Sequence, residues 1–155
     1  MVFKVLKSEP KIHSGFIKID LIVVSLANLI NIVMAFLFVA RLSSLPQVQY
    51  VLGIITMIMG FALGYVAFLN KKNKRDKWMT YLLIPIFIFF VVELTLDYFL
   101  EFNFRSTSIV IPYIVLYYVG LWGLIGYSFL FDKKWGFITL VTYFANMIMS
   151  ILPYI

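Results

Sequence analysis

The chemically most distinctive stretch of the chain is ELTLDYFLEFNFR, which covers positions 93–105. It places Glu93, Asp97, Glu101 and Arg105 at intervals of four residues, and residues four apart share one face of a helix. The surrounding chain is apolar, and a charged side chain inside lipid costs several kcal/mol. The spacing therefore predicts a functional site centred on Glu93 and Asp97. Glu101 and Arg105 are interpreted as an ion pair near the wet end of the helix.

Polar side chains of other apolar stretches are predicted to reach the level of these two acids. With a rise of about 1.5 Å per residue from Trp78, Glu93 and Asp97 fall in the outer part of the bilayer. The same reasoning brings four more residues near that level: Asn31, Tyr113, Tyr117 and Asn146. Carboxylates supply negative charge, and tyrosine rings supply cation–π attraction of about 0.5–2 kcal/mol. We therefore expect these six residues to line a polar pocket for a small organic or cationic ligand.

The composition excludes several kinds of chemistry. The chain has no cysteine, which removes disulfides, thiolate metal sites and cysteine nucleophiles. Its single histidine, His13, lies outside the apolar stretches, so neither a histidine-based metal site nor a Ser-His-Asp triad is expected. No phosphate-binding glycine loop follows a predicted strand. The sequence predicts no metal and no cofactor, and it favours a protein without enzymatic activity.

The fold class follows from the apolar content. Of the 155 residues, 63% are hydrophobic and 13% are charged, against roughly 45–50% apolar residues in soluble domains. A helix needs about 20 apolar residues to cross the hydrocarbon core. The sequence therefore predicts an all-α integral membrane protein, a compact bundle of five transmembrane helices with short loops. The predicted spans cover about 19–40, 48–69, 78–102, 109–131 and 135–155, after a short basic cytoplasmic segment at 1–18.

Two further patterns concern how the spans pack. Gly53, Gly60 and Gly64 lie close to one line on the second span, and small residues let helix backbones approach closely. They are predicted to contact a partner helix, either in the same chain or in a second copy. Pro85 removes one backbone hydrogen bond and is predicted to kink the third span.

The distribution of basic residues predicts the orientation. Eleven of the thirteen Lys and Arg residues lie on the N-terminal side of a five-span chain, and the other two are Arg41 and Arg105. Cytoplasmic loops carry the excess of Lys and Arg, so the N-terminus is predicted in the cytoplasm and the C-terminus outside. Membrane orientation explains the net charge of +6 better than nucleic-acid binding does, and membrane lipids are the expected surroundings. The alternative is four spans, with the last apolar stretch lying flat on the membrane.

Three classes of function fit a polar pocket inside such a bundle. The leading one is binding or transport of a small solute or lipid. The second is a non-catalytic membrane subunit or scaffold, in which the polar residues fix helix packing and the glycines dock a partner. The third is an intramembrane enzyme that uses two carboxyl groups as acid and base on a lipid-soluble substrate.

The predicted topology can be tested with a reporter fused after Ile155. We expect a periplasmic or extracellular reporter to be active in this fusion, because five spans carry the C-terminus to the side opposite the basic loops. A fusion within residues 71–77 is the control and should be active only with a cytoplasmic reporter. Cytoplasmic activity of the fusion after Ile155 would contradict five spans.

Overall fold

The computed structural model describes residues 16–102 and 106–152, which are helical apart from short connections. In chain order the helices are α1 (Ile17–Leu42), α2 (Pro46–Lys72), α3 (Lys77–Tyr81), α4 (Ile84–Glu93), a π-helix (Leu94–Phe99), α5 (Val110–Phe131) and α6 (Lys133–Ile151). Most of the predicted basic segment, together with Arg105 and the last three residues of the chain, lies outside the described residues.

The long helices form a closed ring. α1 packs against α2 and α6, α5 packs against α4 and α6, and α2 completes the ring against α4. α1 and α5 also touch each other across the ring. The interior is filled by fully buried side chains such as Ile30, Leu63, Ile86 and Leu124.

Four helices are long and apolar enough to cross a membrane: Ile17–Leu42, Pro46–Lys72, Lys77–Phe99 and Val110–Phe131. Their outward faces carry large exposed apolar side chains, for example Phe36, Ile58 and Val115. A helix that is apolar inside and outside belongs in lipid, so this is a helical, multi-pass membrane protein. The fifth predicted span corresponds to α6, which is not among these four helices.

The two ends of the bundle differ in charge. One end carries the loop between α2 and α3 and the turn at Asp132, and most described basic residues lie there: Lys18, Lys71, Lys72, Lys74, Arg75, Lys77, Lys133 and Lys134. We call this the basic end. The far end carries the turn between α1 and α2 and the start of α5, and its described basic residue is Arg41.

The third span is broken near Pro85. It divides into α3, which ends at Tyr81, and α4, which begins at Ile84 with Pro85 in its first turn. Proline has no N–H, so the helical bond to the carbonyl four residues earlier is lost. After Glu93 the span continues as a π-helix and ends at Phe99, not at Phe102 as the apolar pattern predicted.

Glycines of α5 allow the broken third span to approach closely. A Cβ atom at Gly123 would overlap the backbone carbonyl of Leu82, at the break between α3 and α4. A Cβ atom at Gly120 would lie 2.9 Å from the Cα atom of Ile86. The kinked backbone therefore packs directly on the backbone of α5.

The glycines of α2 contact aromatic side chains of the same chain. A Cβ atom at Gly53 would overlap the side chain of Tyr98. Likewise, a Cβ atom at Gly60 would overlap Phe90, and one at Gly64 would overlap Phe87, all on the third span. Close packing within the chain is one of the two predicted roles, and all three glycines have such contacts in the structure.

Replacing Gly123 with Ala should lower the thermal unfolding midpoint in detergent, because its methyl group would displace the Leu82 carbonyl. Overpacking of this kind costs about 1–3 kcal/mol. Gly126→Ala is the matched control, since its nearest neighbour is a flexible Leu82 side-chain atom 3.3 Å away, and we expect little change. Equal destabilisation by both substitutions would contradict the role given to the Leu82 carbonyl.

Candidate functional site

A cavity of about 490 Å³ opens in the half of the bundle nearer the far end. α1, α2, α4, α5 and α6 all contribute to its wall. Most of the wall is apolar, with Met34, Leu37 and Ile114 among its residues. The polar residues of the wall are Arg41, Thr56, Glu93, Tyr113, Tyr117, Tyr118 and Ser150.

Glu93 lies on this wall at the end of α4 and is half-buried. The hydroxyl group of Tyr113 donates a hydrogen bond to its Oε2 atom. Phe89, one turn earlier on α4, brings its ring centroid within 5.2 Å of the Tyr113 ring and 5.1 Å of the Tyr117 ring. The carboxyl group therefore stands beside a continuous aromatic surface.

Tyr117 forms the boundary between the cavity and a buried polar network. Its hydroxyl accepts a hydrogen bond of 2.7 Å from Nδ2 of Asn146. The same Nδ2 atom lies 3.4 Å from Oδ1 of Asn31. Asn31 and Asn146 are almost fully buried and do not belong to the cavity wall. They support Tyr117 from behind, and the Oδ1 atom of Asn146 has no hydrogen-bond donor among the described residues.

The network continues as a polar seam between α1 and α6, made of Asn28 and Asn31 on α1 and Thr139, Thr142 and Asn146 on α6. Thr142 donates to Oδ1 of Asn28 at 2.9 Å and accepts from Nδ2 of Asn31 at 3.1 Å. Asn28 also donates to Thr139 at 3.1 Å, and Thr139 donates to Ser128 of α5 at 3.0 Å. The seam thus joins three helices.

Asp97 and Glu101 lie away from the cavity. Asp97 is half-buried in the π-helix and is not on the cavity wall. Glu101 is exposed, and its φ angle of 46° lies in the left-handed region, beyond the end of the helix. The interval of four residues predicted one shared face, but the helix changes its winding after Glu93 and ends at Phe99. Arg105 lies outside the described residues.

Arg41 was not among the predicted site residues, although it lies on the cavity wall. It occupies the last turn of α1 and is partly buried, with its guanidinium carbon 5.6 Å from the centroid of the Phe38 ring. The sequence offered one signal, since Arg41 is the basic residue that ends the first apolar stretch. That position also suits a residue at the membrane surface, so the sequence pattern alone indicates only the end of a span.

A second polar cluster at the basic end was also missed. Asp20 of α1 and Arg75 of the α2–α3 loop form an ion pair of 2.7 Å, and both side chains are largely buried. The Tyr127 hydroxyl donates to Oδ1 of Asp20 at 2.6 Å, and Arg75 donates to Oδ1 of Asn70 at 2.9 Å. Burial lowers the pKa of Arg75, but the hydrogen bond and charge of Asp20 outweigh this and raise the pKa above its ordinary value. Arg75 is thus a fixed charge that ties the loop to α1 and α5.

Comparison of the chain with protein-family models, with curated proteins and with solved structures finds no match.

Replacing Asp20 with Asn should destabilise the protein strongly, because Arg75 would keep its charge in a buried place without a carboxylate. Removing one partner of a buried ion pair costs about 3–5 kcal/mol. The thermal unfolding midpoint in detergent measures this loss. Asp76→Asn is the matched control, since exposed Asp76 only caps α3 through the Trp78 N–H and asparagine caps equally well. Similar midpoints for the two variants would contradict a structural role for the ion pair.

Proposed function

We propose that this protein is a five-span membrane protein that binds a small solute or lipid in the cavity beside Glu93. The observation that supports the proposal is the cavity itself, which has walls from every long helix and a half-buried carboxyl group bonded to Tyr113. Its volume of about 490 Å³ falls in the range of about 300–1,000 Å³ that ligand pockets occupy. Apolar walls with a few polar groups are typical of such pockets.

The fifth span in this proposal is α6, and its packing supports the assignment. Asn28 pairs with Thr139 and Thr142, while Asn31, farther along α1, pairs with Thr142 and Asn146. Higher residue numbers on α1 therefore meet higher numbers on α6, so the two helices run parallel, side by side. A helix of 19 residues extends about 28 Å at a rise of about 1.5 Å per residue. Because α1 is one of the four apolar helices, we assign α6 a crossing in the same direction.

The orientation is part of the same proposal. Basic residues concentrate at the end that carries the α2–α3 loop, and cytoplasmic loops are the ones enriched in Lys and Arg. We therefore assign the basic end to the cytoplasm, the cavity to the outer half of the membrane, and the C-terminus to the outside. A ligand then enters from the outer aqueous phase or the outer lipid leaflet.

The two other function classes have less support. The hypothesis of a docking subunit assigns the glycines of α2 to a partner, and these glycines contact aromatic rings of the third span in the same chain. The hypothesis of an acid–base enzyme requires Glu93 and Asp97 in one site, and Asp97 is not on the cavity wall. Binding needs only the one carboxyl group and the surrounding wall.

Native mass spectrometry of the protein purified in mild detergent tests binding in the cavity. We expect a co-purifying molecule on the wild type and at least about tenfold lower occupancy in Leu37→Trp, which fills the cavity, because ligand and side chain would compete for the same space. Phe36→Trp is the matched control, since Phe36 is the neighbouring residue on α1 but is 62% exposed on the outer face of the bundle. Equal occupancy in the two variants would place the molecule elsewhere and contradict the proposal.

A further inference from the structure

We infer that the ligand of the cavity is a zwitterionic amphiphile, with an ammonium group held at Glu93 and an anionic group held at Arg41. This inference rests on the proposed function and specifies its ligand. Glu93 and Arg41 lie on α4 and α1, helices that are not neighbours in the ring, and both contribute to the wall of one cavity. A ligand that spans the cavity can therefore place a cationic group against Glu93 and an anionic group against Arg41.

The site for the positive group combines a carboxyl group with aromatic rings. Phe89, Tyr113 and Tyr117 form a continuous surface with centroid separations of 5.1 and 5.2 Å, and Tyr118 extends it at 5.2 Å from Tyr117. Glu93 adjoins this surface through its bond to Tyr113. Aromatic faces near a negative charge are the usual surroundings of a quaternary ammonium group, which cannot donate hydrogen bonds.

The site for the negative group is the guanidinium of Arg41. Among the described residues, the ion pair within 4.0 Å is the one between Asp20 and Arg75 at the other end of the bundle. Arg41 makes no such pair with a described carboxylate, although it is partly buried against the Phe38 ring. A guanidinium presents a fork of N–H donors that matches a phosphate or carboxylate group. The positive charge on the wall therefore has donors available for an anion.

The remaining wall fits hydrocarbon. Apart from the polar groups, the cavity is lined by aliphatic and aromatic side chains, among them Met34, Leu37, Ile114 and Ile151. A free zwitterion without hydrocarbon would leave this surface uncovered, whereas an alkyl chain would cover it and be stabilised by the burial of its CH₂ groups. The wall therefore favours an amphiphile such as a lipid over a small polar zwitterion.

Three probes with the same six-carbon chain test the inference: hexylphosphocholine, hexyltrimethylammonium and hexyl phosphate. Binding is measured by isothermal titration calorimetry on the full chain in the non-ionic detergent dodecyl maltoside. We expect the zwitterion to bind at least about tenfold tighter than either probe that carries charge of one sign only, because charge-assisted contacts add at both ends. Phosphocholine without the chain should bind more weakly than hexylphosphocholine. Equal affinity of these two would overturn the assignment to an amphiphile.

Two substitutions separate the two charges. Glu93→Gln should lower the affinity for the zwitterion and for the ammonium probe about tenfold or more and leave the affinity for hexyl phosphate unchanged. The glutamine keeps an acceptor for the Tyr113 hydroxyl. Arg41→Gln should lower the affinity for the zwitterion and for hexyl phosphate and leave the affinity for the ammonium probe unchanged. Lys18→Gln makes the same change of charge at the opposite end of α1 and should alter none of the three affinities.

The outcomes separate this inference from the proposed function. One outcome is that the ammonium probe binds in a Glu93-dependent way while Arg41→Gln affects none of the probes. This would overturn the assignment of a zwitterionic ligand and leave a cavity that binds cations. Wild-type protein that binds none of the probes and carries no co-purifying molecule would overturn both.

Discussion

The structure depends on one constraint: polar side chains inside a bundle that faces lipid must find their hydrogen-bond partners within the protein. The polar seam meets this constraint for Asn28, for Asn31 and for the Nδ2 atom of Asn146, whereas the Oδ1 atom of Asn146 has no donor among the described residues. Because each amide has a partner on another helix, the seam fixes both the direction and the register of α6 against α1. It also holds Tyr117 through Asn146, and so determines the inner boundary of the cavity. The same hydrogen bonds therefore determine how α6 packs on α1 and where the wall of the candidate site lies at Tyr117.

The sequence predicted those parts of the fold that arise from local pattern. Apolar stretches of about 20 residues located the long helices, and Pro85 located the break in the third span. Glu93, Tyr113 and Tyr117 were predicted to share a level in the membrane, and they line one cavity. Local pattern carries this much information because a helix converts residue number directly into distance along its axis.

The parts that could not be predicted depend on contacts between distant residues or on local changes of winding. Asp20 and Arg75 are 55 positions apart, and Arg75 lies in a run of basic residues that also has a topological explanation. The interval between Glu93 and Asp97 assumed an α-helix, whereas the backbone adopts a π-helix from Leu94. Arg41 has the position of an ordinary boundary residue, and only the packing of α1 against the other helices brings it to the cavity. Spacing along one helix carries no information on any of these.

The parallel pairing of the first and last helices affects biogenesis. The asparagines of α1 find their partners more than a hundred residues later, since Asn28 and Thr139 are 111 positions apart. Until residues 139–146 have been synthesised, Asn31 has none of its partners on α6, and Asn28 has only the backbone carbonyl of Val24 within α1. Contacts between such distant positions form late, and polar groups within lipid are costly until they form. The ring can therefore close only after α6 has emerged, which makes the seam between α1 and α6 one of the last sets of contacts to form.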